Sequence, residues 1–100
     1  MISRIRYYMT FDAAWTEGVE HPEGVLQDVL EDGFDKIGEV FSSFEYDEGV
    51  AFLHMMSERD SELMEDIITE MLLSNVPNLS QSAFDIEIDL DVEVTDYNDF

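Results

Sequence analysis

A strict alternation of apolar and acidic residues from Phe84 to Val94 is the clearest pattern in the chain. Successive side chains of a β-strand point to opposite faces of its sheet, so the alternation predicts a half-buried edge strand. We expect one side of this strand to be apolar along its whole length. The other side is predicted to be a row of five carboxylates, formed by Asp85, Glu87, Asp89, Asp91 and Glu93.

Three other segments also favour strands. Residues 2–11 alternate between apolar positions and a more polar set that includes Arg4 and Arg6. Residues 40–46 and 50–56 are rich in aromatic and branched aliphatic side chains, and the turn between them ends at Gly49. Two strand-like runs joined by a short turn of this kind predict a β-hairpin.

A first helix is predicted from Pro22, because proline suits the first helical turn, where its missing N–H has no partner. Apolar residues then recur at helical spacing, at Val25, Leu26, Val29 and Leu30. We expect Gly33 to end this helix, since glycine inside a helix costs about 1 kcal/mol relative to alanine. The alternative continues the helix to Phe44. Residues 13–21, which include Trp15, lack a clean period and are predicted to form a loop.

A second helix is predicted from a cap at Ser57 or Asp60 to Asn75, shortly before a proline. The predicted fold class is α+β, in one domain over residues 1–100 with a short acidic tail at 96–100. The order β-α-β-β-α-β resembles the ferredoxin-like superfold, which implies a four-stranded antiparallel sheet with two helices on one face. In that fold the first and last strands pair, so Arg4 and Arg6 would share the open face with the acidic row.

The charge balance narrows the choice of partner. Twenty-five acidic residues against four basic ones give a formal charge of −21. Nucleic acids and anionic membranes are themselves polyanions, so neither is an expected direct partner. The sequence contains no apolar run of the roughly 18 residues needed to span a bilayer, and no cysteine for disulfides. We expect a cytoplasmic protein.

Enzymatic, cofactor and metal sites are not predicted. The chain has no cysteine nucleophile, no serine in a recognisable nucleophile motif and only two histidines, His21 and His54. His54 lies in a predicted strand and is expected to be a packed residue. Acids two residues apart on a flat strand lie in a line and cannot wrap a hard cation. The sequence also lacks a glycine-rich loop for phosphate.

Charge, size and expected compactness make the whole chain similar to the small acidic phage proteins that block restriction enzymes, CRISPR effectors or other DNA-binding host proteins. The resemblance implies a non-enzymatic inhibitor that mimics phosphate charge and covers the Arg/Lys-rich surface of its target. The residues expected to bind the partner are the five acids of the strand row and the acids of the outer helix faces. The latter are Asp28, Glu31, Asp32, Glu58, Glu62, Glu65 and Asp66.

Two alternatives to mimicry remain open. In the first, the acids are an adaptation to salt, because a halophilic proteome replaces lysine with acids and this chain has a single lysine. In the second, the protein is an acidic interaction or dimerisation module, since a bare sheet face can pair with a second copy. Charge reversal of Asp89 and Asp91 to lysine is expected to weaken binding while leaving the fold intact.

Overall fold

A computed structural model describes residues 1–94 as an α+β fold with a four-stranded antiparallel sheet and three helices. The elements are β1 (Ile2–Phe11), α1 (Ala13–Glu17), α2 (Pro22–Ile37), β2 (Val40–Asp47), β3 (Val50–Ser57), α3 (Ser61–Asn75), a 3₁₀ turn (Gln81–Ala83) and β4 (Phe84–Val94). The strand order is β2-β3-β1-β4, which makes β2 and β4 the edges. The α+β class, the four-stranded antiparallel sheet and the four strand positions are confirmed. The predicted tail at 96–100 lies outside the described residues.

The hydrophobic core lies between one face of the sheet and the two long helices. The inward parity of β1 (Ile5, Tyr7, Met9, Phe11) and of β3 (Ala51, Leu53, Met55) is buried. It belongs to one cluster with Leu26, Leu30 and Phe34 of α2 and Met64, Ile68 and Leu72 of α3. Because α2 packs along β2 and α3 along β4, the opposite face of the sheet is left open.

The predicted loop at residues 13–21 is helical in part. Residues 13–17, which include Trp15, form α1, a third helix that the expected order of six elements did not include, and residues 18–21 connect it to α2. Trp15 is only 5% exposed, and its ring lies 5.5 Å from that of Phe11. Its Nε1 donates a hydrogen bond to the carbonyl of Pro77 at 3.0 Å. The short helix is therefore held by packing and one long-range hydrogen bond, which explains why its local sequence lacks a periodic pattern.

The prediction that Gly33 ends the first long helix is wrong, because α2 continues to Ile37. A Cβ at Gly33 would overlap the end of the Met71 side chain on α3. The glycine thus leaves room for this methionine between the two helices, and the contact offsets its poor helix propensity. Helix α2 ends instead at Gly38, whose φ of 74° is the left-handed conformation typical of a C-terminal glycine.

A β-bulge interrupts the pairing of β1 with β4. Arg6 lies opposite Leu90, but Tyr7 lies opposite Ile88, so Asp89 is one residue more than β1 can pair. One extra residue reverses which side chains point to which face of the sheet. Beyond the bulge, Leu90 and Val92 therefore take the face that Asp85 and Glu87 occupy before it.

Candidate interaction surface on the open sheet face

The bulge divides the predicted row of five carboxylates between the two faces of the sheet. Asp85 and Glu87 lie opposite Thr10 and Tyr8 and therefore point to the open face. Asp91 and Glu93 lie opposite Ile5 and Ser3, whose parity faces the helices. The prediction of one continuous acidic side and one apolar side is wrong, because it assumed an unbroken period of two along β4.

Asp91 takes part in a hydrogen-bond network on the helix side. Its Oδ2 accepts a bond from Ser61 Oγ at 2.6 Å. The carbonyl of Ser61 in turn accepts a bond from the hydroxyl of Tyr7 at 2.8 Å, and Tyr7 is fully buried. Burial, followed by the negative charges of Glu65 and Asp91, raises the pKa of Tyr7, so its hydroxyl stays a donor. Asp91 is therefore a structural residue that ties β4 to the first turn of α3.

Asp89, the bulged residue, forms an ion pair with Arg6 on the open face. The guanidinium of Arg6 also lies over the ring of Phe52, 5.8 Å from its centroid. Both charged side chains are about one-third exposed, at 37% each. Arg6 thus shares the open face with an acid of β4, as expected from the pairing of the first and last strands. Reversing Asp89 and Asp91 would consequently disturb contacts within the fold as well as a surface.

Four exposed carboxylates frame the half of the open face that lies before the bulge, and we call them the acidic half: Glu45, Asp47, Asp85 and Glu87. The register places them in two levels. Glu45 and Glu87 lie at the ends of one row across the four strands, and Asp47 and Asp85 lie at the ends of the next. Three strand spacings separate the two edges by about 14 Å, and the levels repeat at about 6.6 Å along each strand.

The floor between these carboxylates is aromatic, and the guanidinium of Arg6 lies over one of its rings. Tyr8 and Phe52 fill the level of Glu45 and Glu87, with ring centroids 5.3 Å apart. His54 lines the same shallow groove and is half-buried. Aromatic faces beside carboxylates offer both stacking and charge to a planar cation such as a guanidinium.

Helix α3 extends the negative surface around the edge formed by β4. Partial burial raises the pKa of Glu65, and the nearby charges of Asp66, Glu62, Asp85 and Glu87 raise it further. Because charges on α3 and on β4 act on the same carboxyl, the two elements present one continuous acidic flank. The structure thus brings together Glu62, Glu65 and Asp66 with Asp85 and Glu87.

The other helix residues predicted to bind the partner lie elsewhere. Asp28 and Asp32 line a groove between α2 and α3, where Asp32 forms an exposed ion pair with Lys36 at 3.0 Å. Glu31 accepts a hydrogen bond from Gln27 at 3.0 Å. Glu58 precedes α3 in the turn after β3 and is not part of the helix. These four acids form no common surface with the acidic half.

Sequence reasoning missed two members of the acidic half, Glu45 and Asp47. Their signal is present, because Phe44 and Tyr46 alternate with them along β2 and pack against the core. This alternation predicts a strand, but it does not match the outward positions of β2 with those of β4. That match depends on a strand order that puts β2 and β4 at opposite edges.

The half of the open face beyond the bulge is apolar. Val40, Met56, Arg4 and Val92 lie side by side across all four strands, and Ile2 pairs with Val94 at the next level. Val40 is 59% exposed and Val92 is 50% exposed. Together with Leu90, these side chains form what we call the apolar half. Arg4 is the one base of residues 1–94 with no carboxylate of that range within 4.0 Å.

Within residues 1–94, no three or more His, Asp or Glu side chains are grouped as they would be around a metal ion. No helix of that range is long and apolar enough to cross a membrane. No family model, curated protein or solved structure matches the chain. The function must therefore be argued from the surfaces themselves.

Proposed function

We propose that this protein is a non-enzymatic inhibitor that occupies the Arg/Lys-rich nucleic-acid-binding surface of another protein by mimicking phosphate charge. The observation that carries the proposal is the pair of carboxylate rows at the two edges of the open face. The sequence alone suggested a single row along β4, whereas the acidic half consists of two rows facing each other across an aromatic floor.

The spacing of these rows supports the proposal. Each row carries one carboxylate per about 6.6 Å, which is about half the density of one phosphate per ~3.4 Å along a DNA strand. The separation of about 14 Å between the rows is of the same order as the ~12 Å width of the major groove. An α-helix with its side chains is about 10–12 Å wide, so a basic recognition helix fits between the rows.

The inhibitory mechanism is occlusion. A basic groove or helix that normally holds phosphates would dock on the acidic half, with a guanidinium group stacked on Tyr8. The acidic flank of α3 would add charge at the β4 edge. Such association is steered by charge and weakens with salt, because the Debye length is only about 8 Å at physiological ionic strength. The partner class includes restriction enzymes, CRISPR effectors and other DNA-binding proteins of a host cytoplasm.

The fold type belongs to the same proposal. We assign the sheet and the two long helices to a ferredoxin-like sandwich with α1 inserted after the first strand. The support is that β1 and β3 are central, that β1 pairs with β4, and that α2 and α3 cover one face. This arrangement is what leaves a whole sheet face open for a partner.

Competition binding tests the proposal. A fluorescent DNA duplex is bound to purified restriction or CRISPR effector proteins, and its anisotropy is followed as the acidic protein is added. We expect displacement of the duplex from at least one of these proteins, and less displacement as salt is raised. In the test variant, all four carboxylates of the acidic half are changed to amides: Glu45→Gln, Asp47→Asn, Asp85→Asn and Glu87→Gln.

A matched control removes the same charge from α2, through Asp28→Asn, Glu31→Gln, Asp32→Asn and Asp35→Asn. The proposal requires the test variant to lose displacement and the control to retain it. Equal loss in both would mean that only net charge matters. No displacement from any member of the panel would exclude the proposed function.

A salt-adapted coat is the second candidate, because the chain has a single lysine. Such a coat would spread acids over the whole surface, whereas the apolar half carries none. Circular dichroism at decreasing salt distinguishes the two candidates. A salt-adapted protein unfolds when salt is removed, and an inhibitor stays folded.

A further inference from the structure

The apolar half of the open face combines two properties that no other described surface shares. It carries apolar side chains on all four strands, and those of Val40 and Val92 at the two edges are 59% and 50% exposed. It also surrounds an exposed arginine, Arg4, that has no carboxylate of residues 1–94 within 4.0 Å. An exposed apolar surface of this kind marks an interaction site, and its arginine calls for a partner that brings a carboxylate.

We propose that a second copy of this chain binds the apolar half and forms a twofold symmetric dimer. The distribution of charge decides where two copies can meet. At a formal charge of −21, two copies repel each other wherever acids meet. The apolar half is the region of the described surface that carries no acid, so it is where two copies approach at the lowest electrostatic cost.

Arg4 finds its carboxylate at the rim of the same surface in the second copy. Glu58 directly follows β3, is exposed, and lines a groove with Ile2, Val40 and Met56. In a twofold interface each contact occurs twice, so Arg4 of one copy meets Glu58 of the other, and the reverse. A twofold axis that runs across the strands near Ile2 brings these residues together and directs the two acidic halves to opposite ends.

The area of the apolar half sets the expected stability of the dimer. It spans about 14 Å across the four strands and about 13 Å along them. These dimensions give much less than the roughly 800 Å² that each partner buries in a standard interface, so the dimer is weak and depends on protein concentration. Because the acidic halves remain uncovered, dimerisation is independent of the proposed inhibition and can be tested without a target.

Sedimentation equilibrium over a range of concentrations measures the association. The mean mass is expected to rise from 11.6 kDa toward twice that value. Val92→Glu should reduce the association constant by at least about tenfold, because it places a charge inside the apolar contact. The matched control is Leu63→Glu, on the outer side of α3, where the leucine is 52% exposed and Val92 is 50% exposed. It should change the constant by less than about twofold.

Charge exchange tests the contact between copies. Arg4→Glu and Glu58→Arg should each weaken the dimer, and the double variant should restore it, with circular dichroism showing that every variant is folded. A mass that stays at 11.6 kDa at all concentrations overturns the proposal. So does equal weakening by Val92→Glu and Leu63→Glu. Dimerisation that appears only after residues 95–100 are removed would identify that segment as the occupant and would overturn it as well.

Discussion

Asp91 and Glu87 belong to the same alternating run of sequence, but the bulge gives them opposite roles. Replacing each with alanine therefore tests the bulge directly. Asp91→Ala removes the acceptor that Ser61 Oγ contacts at 2.6 Å. A hydrogen bond to a charged group contributes about 1.5–3 kcal/mol to stability. Because Asp91 is partly exposed, we expect its replacement to lower the free energy of unfolding by about 1–2 kcal/mol.

Glu87→Ala is expected to act in the opposite direction. Glu87 points to the open face and adds to the repulsion that raises the pKa of Glu65. Its removal should raise the free energy of unfolding by no more than about 0.5 kcal/mol. Urea denaturation followed by circular dichroism measures both variants, with the midpoint compared at constant slope.

A double-mutant cycle assigns the effect to the contact. In a Ser61→Ala background, the cost of Asp91→Ala should largely disappear, because the hydroxyl donor is already absent. If Asp91→Ala is as neutral as Glu87→Ala, or if its cost is unchanged without the serine hydroxyl, then Asp91 does not face α3. The bulge would then not lie at Asp89.

Two further predictions concern the helices. Gly24→Ala, with no atom within 4 Å of the added Cβ, should raise the free energy of unfolding by about 0.5–1 kcal/mol. Gly33→Ala should raise it by less, because the side chain of Met71 must move to make room for the added methyl group. Thermal denaturation compares the two, and a Gly33→Ala variant as stabilised as Gly24→Ala would contradict the contact with Met71. Glu65 has a folded-state pKa above its ordinary 4.5, so the folded protein keeps this proton to a higher pH than the unfolded chain does. The free energy of unfolding should therefore fall as pH rises through this range, and Glu65→Gln should reduce that fall; urea titrations at several pH values measure it, and an unchanged slope would refute it.

The strands were predictable because each is encoded locally. The alternation of β1 and β4 and the turn ending at Gly49 depend only on neighbouring residues, and all four strands lie where they were expected. The helices were less predictable wherever a distant contact decides. Gly33 is tolerated because of a methionine almost forty positions away on α3. Trp15 is ordered by a hydrogen bond to Pro77.

The candidate surface was predictable only in part, and for a related reason. A period of two predicts which side chains share a face as long as no residue is inserted. Nothing in the sequence around Asp89 indicates a bulge. The extra residue is recognised only when β4 is paired with β1. Asp85 and Glu87 were therefore placed correctly on the open face and Asp91 was not. Glu45 and Asp47 needed the strand order before they could be joined to them.

Trp15 gives the protein a built-in optical probe. It is the single tryptophan of the chain, and it packs on Phe11 at the end of the sheet that carries the acidic half. Indole emission shifts to longer wavelength on exposure to water, so the emission maximum reports the integrity of that end separately from the secondary structure of the whole sheet. Repulsion among the carboxylates of the acidic half acts most strongly on this end of the sheet at low salt. A basic partner docked on the acidic half would relieve that repulsion, so the same emission maximum can report docking.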